Sequence, residues 1–538
     1  MTETKPGPSD GATSGENGPI LVCGMGHVGF RVVELLRRLG EPVTVVTTTT
    51  RSEWLRAAQA AGVEVKIGDA RDSALLVEAG LANVRAVIAA TDSDVVNLEI
   101  ALDCRKARPE LAIVARLFDQ TLAEELRTAF DIQTFAMSAL AAPAFVAKAL
   151  GGRIEGAFRL DGVATFFGQH EIAAGSPLVG RRVADVAARF GVAVLPGGEG
   201  VPREGDVLRE GDVLTLLGDR AAWERVTGET APAPAPTPRP EPEKNRLFRG
   251  RPKVLRVALA SLGLFFLASV FVFSSGMKLT LLDAFYFLVT TVTTVGYGDI
   301  TPKDAAPALK VYACLVMLLG SAAIATLYSL LTDFVVTARF RELLGKQRIP
   351  KGGHVVVVGL GNLGFRVVEE LRAAGVPVVA VERSADAPFV ATVKGATPVV
   401  LGDARLPETL VRANAATARA VLAVTGDDAA NLAVGLTAKK LGAGARNVVR
   451  LFEPGLARKA GASLRIDAAL SASRTAAPVF AAAALHRGVR AAFVHGGELF
   501  VLTERLAGTV TPDMRVVRTS AEGHALVLTV RSLAGEAT

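Results

Sequence analysis

Two long uncharged runs, residues 257–277 and 311–332, constrain the fold of this chain more than any other feature. Neither run contains Asp, Glu, Lys or Arg. The hydrocarbon core of a bilayer is about 30 Å thick, and a helix needs about 20 residues to cross it. Both runs are long enough to do so. The alternative is a buried helix in a large soluble domain.

Basic residues flank both runs on their outer sides, which favours the membrane over the soluble alternative. Since Lys and Arg mark the cytoplasmic ends of membrane spans, we expect a multi-pass protein of a bacterial plasma membrane with both termini in the cytoplasm. The positive charge is concentrated in these flanking stretches, at the predicted bilayer surface, and the net charge of the whole chain is only +7. Nucleic acid is therefore not an expected partner. The flanking residues are Lys244, Arg246, Arg249, Arg251, Lys253, Arg256, Arg339, Arg341, Lys346, Arg348 and Lys351.

The segment between the two runs carries TVGYGD at residues 294–299, after an apolar stretch of helical length at 283–293. TVGYG is the sequence of potassium-channel selectivity filters, in which backbone carbonyl oxygens replace the hydration shell of K⁺. One chain supplies one such segment and a filter needs four, so the motif predicts a homotetramer. Gly320 in the second run is a candidate gating hinge, with close helix packing as the alternative. The predicted filter residues are Thr294, Val295, Gly296, Tyr297, Gly298 and Asp299.

The regions before and after the membrane segment are copies of one another. Residues 20–31 (ILVCGMGHVGFR) match 355–366 (VVVVGLGNLGFR), and residues 86–98 (AVIAATDSDVVNL) match 420–432 (AVLAVTGDDAANL). In both copies short Val- and Ile-rich runs alternate with helical stretches, which is typical of a parallel sheet covered on both faces. We therefore predict a membrane α-helical two-span pore-loop domain and two α/β doubly wound, Rossmann-like domains.

Each copy has a Gly-x-Gly-x-x-Gly loop between a strand and a helix, which lets backbone N–H groups approach a pyrophosphate. An acidic residue about 20 positions further on holds the ribose in such folds. Tight helix–strand packing is the alternative role of the glycines, and a helix N-cap is the alternative role of Asp69 and Asp403. The predicted nucleotide-binding residues of the second copy are Gly359, Gly361, Gly364, Glu382, Asp403, Ala404 and Arg450. Those of the first copy are Gly24, Gly26, Gly29, Thr47, Arg51, Asp69 and Arg116.

The two copies differ at the ribose position, where the second has Glu382 and the first has Thr47. The second copy is therefore expected to bind NAD(H) or an ATP- or ADP-type nucleotide. In the first copy Thr47 is followed by Arg51, which points either to the extra phosphate of NADP(H) or to no ligand at all.

With these motifs the chain resembles a two-span potassium channel that carries "regulator of potassium conductance" (RCK, also TrkA-N/TrkA-C) domains, one before and one after the pore. The resemblance implies that four chains place eight RCK domains in a gating ring that responds to a cytosolic ligand. It also implies a smaller α+β C-lobe after each N-lobe. The order is unusual, because such domains normally follow the pore. The predicted segments are a disordered tail (1–19), N-lobe (20–150), C-lobe (151–228), Pro-rich linker and basic segment (229–250), pore (251–340), gating linker (341–352), N-lobe (353–486) and shortened C-lobe (487–538).

Three alternatives remain open from the sequence. A membrane-anchored NAD(P)-dependent oxidoreductase would need an acid–base group near the nicotinamide, and none of the six histidines stands in a recognisable constellation, so we predict no enzyme. A potassium-transporter component would carry several imperfect filter repeats in one chain. The third alternative keeps the channel but makes the ligand Ca²⁺ or a proton, with Asp427 and Asp428 as the candidate site.

Overall fold

The structure is a computed structural model. It describes residues 18–48, 52–151, 154–195, 205–228, 253–343, 349–442, 444–453, 456–457, 459, 464, 466–510, 515–519 and 524–534. The predicted Pro-rich linker, Arg51, nearly all of the predicted tail and part of the gating linker lie outside these residues. The chain forms two compact units. One contains both repeated regions, and the other, residues 236–347, contains the membrane segment. We call residues 20–228 copy 1 and residues 353–538 copy 2.

Both N-lobes are built on a six-stranded parallel sheet in the strand order 3-2-1-4-5-6. The central strands are short runs of Val, Ile and Leu whose side chains are buried on both faces, as expected where helices cover the whole sheet. This confirms the predicted doubly wound fold. The strands of copy 1 are Ile20–Cys23, Val43–Thr47, Glu64–Ile67, Ala86–Ala89, Ala112–Arg116 and Gln133–Phe135. Those of copy 2 are Val355–Val358, Val378–Glu382, Val399–Leu401, Ala420–Ala423, Arg446–Arg450 and Ala468–Leu470.

Helices connect these strands, and the register of the pairing is the same in the two copies. The first strand of copy 1 pairs Ile20 with Val43 and Ala86, and that of copy 2 pairs Val355 with Val378 and Ala420. The helices of copy 1 are His27–Arg38, Ser52–Ala60, Ser73–Glu78, Asp94–Ala107, Gln120–Phe130, Met137–Leu150, Val183–Phe190 and Arg220–Thr227. Those of copy 2 are Asn362–Ala373, Val390–Lys394, Pro407–Arg412, Asp428–Leu441 and Ala472–Leu485, with short 3₁₀ turns at Ala415–Thr417 and Ala507–Thr509.

Each C-lobe contains a four-stranded antiparallel sheet in which the second strand pairs with the first and the last. The shortened second C-lobe thus keeps the whole sheet, although its described residues contain no α-helix. The two sheets pack together through aromatic side chains, with the rings of Phe167 and Phe493 stacked 4.1 Å apart. The strands are Ile154–Leu160, Val163–Glu171, Ala193–Leu195 and Val213–Asp219 in copy 1, and Val489–His495, Glu498–Leu506, Arg515–Thr519 and His524–Ser532 in copy 2.

The last helix of each N-lobe crosses over to the other copy. Met137–Leu150 packs on Asn362–Ala373 of copy 2, and Ala472–Leu485 packs on His27–Arg38 of copy 1. Both crossover helices are rich in alanine, which lets them approach their neighbours closely, and each buries one phenylalanine completely, Phe145 or Phe480. The two copies of one chain therefore share a continuous core.

Phe480→Ala is expected to lower the free energy of unfolding of this paired unit by about 3–5 kcal/mol, because it leaves a cavity in a core that both copies build. Chemical denaturation followed by circular dichroism measures the change. Phe130→Ala is the matched control, since Phe130 is 46% exposed, and it should cost less than about 1 kcal/mol. Equal losses from the two substitutions would contradict the shared core.

The membrane unit consists of the helices Lys253–Met277, Leu281–Val292 and Pro307–Leu343. Within the described residues, Pro307–Thr326 is long and apolar enough to cross a bilayer alone. Ser261–Met277 and Leu281–Val292 qualify only together, and the chain bends by 117° between them. This bend separates the first span from a short pore helix, as the two-span pore-loop prediction requires. The helices pack around Phe273, which is fully buried and meets Phe287 edge to face at 5.0 Å.

Candidate functional site

The pore helix aims its C-terminal end at the TVGYGD segment. The helix begins at the N-cap Thr280, whose hydroxyl accepts a hydrogen bond from the backbone N–H of Asp283 at 3.2 Å, and it ends at Val292. The amides of Val295 and Gly296 both donate to the carbonyl oxygen of Thr290, at 3.0 and 3.1 Å. These bonds satisfy a helix-terminal carbonyl and fix the first half of the filter segment on the pore helix.

The backbone of the filter segment alternates in handedness. Thr294, Gly296 and Gly298 have φ of +60°, +53° and +79°, whereas Val295 and Tyr297 between them do not have positive φ. Such alternation brings successive carbonyl groups to the same side of the chain, the arrangement that a row of ion-binding oxygens needs. Positive φ is permissive for glycine, but for a β-branched residue such as Thr294 it stores about 1–3 kcal/mol of strain. Strained residues of this kind cluster at functional sites.

Gly320 lies against the end of the pore helix. A Cβ atom at this position would lie 3.0 Å from Cγ2 and 3.1 Å from Cα of Val292, and the helix Pro307–Leu343 continues through Gly320 without a break. The structure therefore shows the close packing that was the alternative explanation for this glycine. Its role as a hinge stays a prediction.

In copy 2 the predicted site residues gather where the parallel strands end, beside the point at which strand order reverses. Gly359 directly follows the central strand with φ of +94°. A Cβ at Gly364 would lie 1.8 Å from the carbonyl oxygen of Gly359, so only glycine lets the helix Asn362–Ala373 start this close to the strand. The crevice at such a reversal is where doubly wound domains bind nucleotides.

Glu382 ends the neighbouring strand and turns its carboxylate onto the glycine loop. One oxygen accepts a hydrogen bond from the amide of Leu360 at 2.7 Å, and the other accepts from the amides of Arg383 and Ser384 at 2.7 and 3.2 Å. A carboxylate offers about four acceptor positions, so an acceptor position remains for a ribose hydroxyl. The three amides fix the orientation of the carboxylate before any ligand arrives.

Asp403 lies at the next strand end and forms an ion pair with Arg405 at 2.6 Å. The side chain and backbone N–H groups of Arg405 lower the pKa of Asp403 to about 2. Asp69 and Arg71 repeat this pair in copy 1, also at 2.6 Å. Neither aspartate caps the following helix, so the N-cap alternative is wrong. Ala404 is buried in the hydrophobic cluster under the sheet.

Arg450 completes the edge in copy 2. Its guanidinium donates to the carbonyl oxygen of Thr425 at 3.3 Å, and no carboxylate lies within ion-pair distance of it among the described residues. Burial lowers the pKa of Arg450, the charge of Asp428 raises it, and the neighbouring Arg116 of copy 1 lowers it. A half-buried cation at this edge suits a phosphate group.

Copy 1 has the same scaffold with different chemistry. The hydroxyl of Thr47 accepts the hydrogen bond from Met25 at 3.1 Å, which is the bond that Glu382 accepts from Leu360 in copy 2. Thr47 is 3% exposed and cannot hold two ribose hydroxyls as a carboxylate does. Arg116 is paired with Asp92 at 2.7 Å. Gly24 and Gly29 keep the tight loop, since a Cβ at Gly29 would lie 1.9 Å from the oxygen of Gly24.

Aromatic side chains link the two glycine-loop sites across the pair of copies. Phe118, two residues after Arg116, lies 5.4 Å from the ring of Phe389 and under the guanidinium of Arg366 at 5.3 Å. Phe452 is the equivalent residue of copy 2, and its ring lies 4.0 Å from the ring of His27 in copy 1. Each copy thus inserts a phenylalanine beside the glycine-loop helix of the other.

The acidic pair proposed for Ca²⁺ is engaged in local structure. The side chain of Asp427 caps the helix Asp428–Leu441 by accepting from the amides of Ala429 and Ala430. A carboxylate oxygen of Asp428 accepts from the amide of Phe452 at 2.7 Å. The described part of the chain contains no group of three or more His, Cys, Asp or Glu side chains placed to hold a metal ion.

Comparison with protein families agrees with both parts of this geometry. The TrkA-N domain family matches residues 20–134 and again 355–472, and the ion channel family matches residues 259–337. The chain carries two TrkA-N domains and one ion-channel domain. One TrkA-N domain precedes the ion-channel domain and one follows it, so the resemblance to RCK-bearing potassium channels is confirmed, and the chain is a membrane protein.

Potassium channel proteins of other organisms match part of this chain. Potassium channel protein 1 of Methanocaldococcus jannaschii is 30% identical over 164 residues, which cover 29% of this chain and 49% of that protein. The voltage-gated potassium channel Kch of Escherichia coli K12 is 25% identical over 179 residues, 32% of this chain and 42% of Kch. The chain thus spans about half the length of the curated relatives it matches.

Solved structures resemble the fold over nearly the whole chain. The GsuK channel has a TM-score of 0.53 at 16% identity, with 98% of this chain and 78% of that chain covered. The GsuK channel bound to NAD has a TM-score of 0.52 at 16% identity and covers 98% and 79%. At 16% identity this likeness shows a shared fold and nothing about function.

The residues that sequence reasoning missed are Asp92, Phe118 and Phe452. Asp92 had a signal, because the matched segments 86–98 and 420–432 differ there by a charge, with Gly426 in copy 2. The two phenylalanines recur at equivalent positions, in Arg-Leu-Phe at 116–118 and 450–452. Nothing in that repeat indicates their contacts, which join parts of the chain that are hundreds of residues apart.

Proposed function

We propose that the chain is one subunit of a homotetrameric, potassium-selective channel of the plasma membrane, gated by an adenine nucleotide that binds copy 2. Four subunits would place four filter segments around one axis and eight RCK domains in a cytoplasmic gating ring. The single observation that carries the proposal is the filter segment, whose φ values alternate in sign directly after a pore helix.

The exposure of the filter supports an assembly of several chains. Tyr297 is 72% exposed and Val295 is 53% exposed in the single chain. Such side chains need a protein environment if the backbone between them is to lie at membrane depth, because an irregular backbone there is tolerated only when it is buried in protein or lines a water-filled path. Neighbouring subunits would supply that environment, and the aligned carbonyls of four chains would coordinate dehydrated K⁺.

The nucleotide assignment rests on the edge of the copy 2 sheet. The glycine loop offers backbone N–H groups to a pyrophosphate, the oriented carboxylate of Glu382 offers acceptors to a ribose, and the half-buried Arg450 offers positive charge. NAD(H) has all three complementary groups, and the GsuK channel, which shares the fold, binds NAD. Adenosine phosphates have the same groups and remain the second class to test.

The aromatic contacts between the copies suggest how binding would change the shape of the pair. Phe118 of copy 1 packs against Phe389, which stacks on Phe365, and lies under Arg366. Phe365 and Arg366 lie on the helix that follows the copy 2 glycine loop. A ligand that draws this helix toward its pyrophosphate would shift Phe118 and with it copy 1. Gating requires only that the ligand bind the two shapes with different affinity.

Glu382→Ala is expected to weaken NAD⁺ binding by about tenfold to hundredfold, since hydrogen bonds to charged groups contribute about 1.5–3 kcal/mol each. Thermal-shift measurements on the purified tetramer with NAD(H), ATP and ADP as probes would show the loss as a smaller rise in melting temperature. Thr47→Ala is the matched control in copy 1 and should leave the rise unchanged. Unchanged stabilisation by every probe in Glu382→Ala would place the ligand elsewhere.

A further inference from the structure

Asp92 of copy 1 stands where the phosphates of a nucleotide would dock. Its carboxylate oxygens lie 3.4 and 3.6 Å from the position that a Cβ would take at Gly26, the second glycine of the loop. That glycine lets the backbone approach a pyrophosphate. In copy 1 the Asp92 carboxylate occupies the space beside this glycine that a pyrophosphate would enter.

The carboxylate also neutralises the cation of the site. Asp92 accepts a hydrogen bond from the guanidinium of Arg116 at 2.7 Å, and the Arg116 side chain is only 17% exposed. The same guanidinium donates to the carbonyl oxygen of Thr91 at 3.0 Å. Asp92 therefore pairs with the arginine, as a bound phosphate would, and its carboxylate lies next to the second glycine of the loop.

Copy 2 lacks this carboxylate, while the loop around the position keeps the same hydrogen bonds. The equivalent residue is Gly426, and no atom lies within 4 Å of a Cβ placed there or at Gly361. Thr425 and Asn431 repeat the hydrogen bonds of Thr91 and Asn97, so the loop has the same shape in both copies. At the phosphate side the two sites differ in this side chain and its charge, and at the ribose side they differ in Thr47 against Glu382.

We propose that Asp92 closes the copy 1 site to anionic ligands by occupying it, so that each chain binds one nucleotide diphosphate group, in copy 2 only. This inference rests on the proposed nucleotide site of copy 2 and adds the residue that decides which copy binds. An exposed carboxylate next to a pyrophosphate repels it at short range, and the missing acidic residue at Thr47 removes the ribose contact as well.

Titration calorimetry of the purified full-length tetramer with NAD⁺ tests the inference, with one site per chain expected. Gly426→Asp places the closing carboxylate in copy 2 and should raise the Kd for NAD⁺ at least about tenfold. Gly426→Asn is the matched control of nearly equal size without charge, and it should retain affinity within about threefold. Both variants should fold, because position 426 has open space and does not have positive φ.

The reverse substitution is made in copy 1. Thr47→Glu restores the acidic ribose residue, and we expect that variant still to bind one NAD⁺ per chain. Thr47→Glu combined with Asp92→Gly should bind two. Two sites per chain in the wild-type protein, equal affinities of Gly426→Asp and Gly426→Asn, or a double variant that gains no site would each overturn the inference. Binding as expected without any effect on potassium flux would contradict the proposed gating instead.

Discussion

Gly298→Ala is expected to abolish potassium flux through the assembled channel. Gly298 has φ of +79° in the second half of the filter, and an alanine held there would cost on the order of 1 kcal/mol in each of four subunits. The backbone would relax toward negative φ, and the carbonyl groups on either side would turn away from the shared axis. A filter that loses one ring of aligned oxygens can no longer replace the hydration shell of K⁺.

A second glycine of the same unit supplies the control for this experiment. Gly263 lies in the helix Lys253–Met277 without positive φ, and neither glycine has an atom within 4 Å of its Cβ position. The two substitutions therefore differ in backbone conformation and not in available space. Flux of potassium into liposomes, with subunit number checked by native mass spectrometry, should be lost for Gly298→Ala and retained for Gly263→Ala. Normal flux with Gly298→Ala would contradict the assigned filter geometry.

Gly364→Ala is expected to remove nucleotide binding and the nucleotide response of the channel. The new methyl group would lie 1.8 Å from the carbonyl oxygen of Gly359 and 2.9 Å from its carbonyl carbon, so the glycine loop and the following helix must move apart. Overpacking of this kind costs about 1–3 kcal/mol. Because the amides that would face the pyrophosphate belong to this loop, we expect the Kd for NAD⁺ to rise at least about tenfold.

Substitutions at two further glycines distinguish a specific effect on the nucleotide site from general damage to the fold. Gly395→Ala changes copy 2 at a position with open space and without positive φ, and it should leave NAD⁺ binding unchanged. Gly29→Ala produces the same clash in copy 1, at 1.9 Å from the oxygen of Gly24. It should lower the melting temperature as Gly364→Ala does and leave the Kd for NAD⁺ nearly unchanged. An equal loss of binding from Gly29→Ala would mean that both copies hold ligand.

The parts of the fold that local pattern encodes could be predicted from the sequence. The uncharged runs predicted the two spans, and Gly-x-Gly-x-x-Gly after a run such as Val355–Val358 predicted the strand–loop–helix unit in both copies. The observed starts of the two glycine-loop helices differ from the expected ones. From the sequence, the helices are expected to begin after the glycine motif, at Arg31 and Arg366. They begin four residues earlier, at His27 and Asn362, inside the motif.

Contacts between the copies could not be predicted, because they depend on which surfaces meet after each domain has folded. The small side chains of the alanine-rich stretch Ala472–Leu485 are compatible with packing against many helices. The sequence of this stretch does not specify the helix His27–Arg38 of the other copy. Phe118 and Phe452 each follow a half-buried arginine by two residues, and only the paired structure shows that each lies beside the glycine-loop helix of the other copy. The closing role of Asp92 likewise needed its position relative to Gly26.

Potassium flux through the purified protein in liposomes, measured against sodium flux with and without NAD⁺, tests the central claim most directly. The account predicts flux that is selective for potassium over sodium, changes when NAD⁺ is added on the side of the TrkA-N domains, and loses this dependence in Glu382→Ala. Equal permeability to sodium and potassium, or no flux from a tetramer with any of NAD(H), ATP or ADP present, would contradict it.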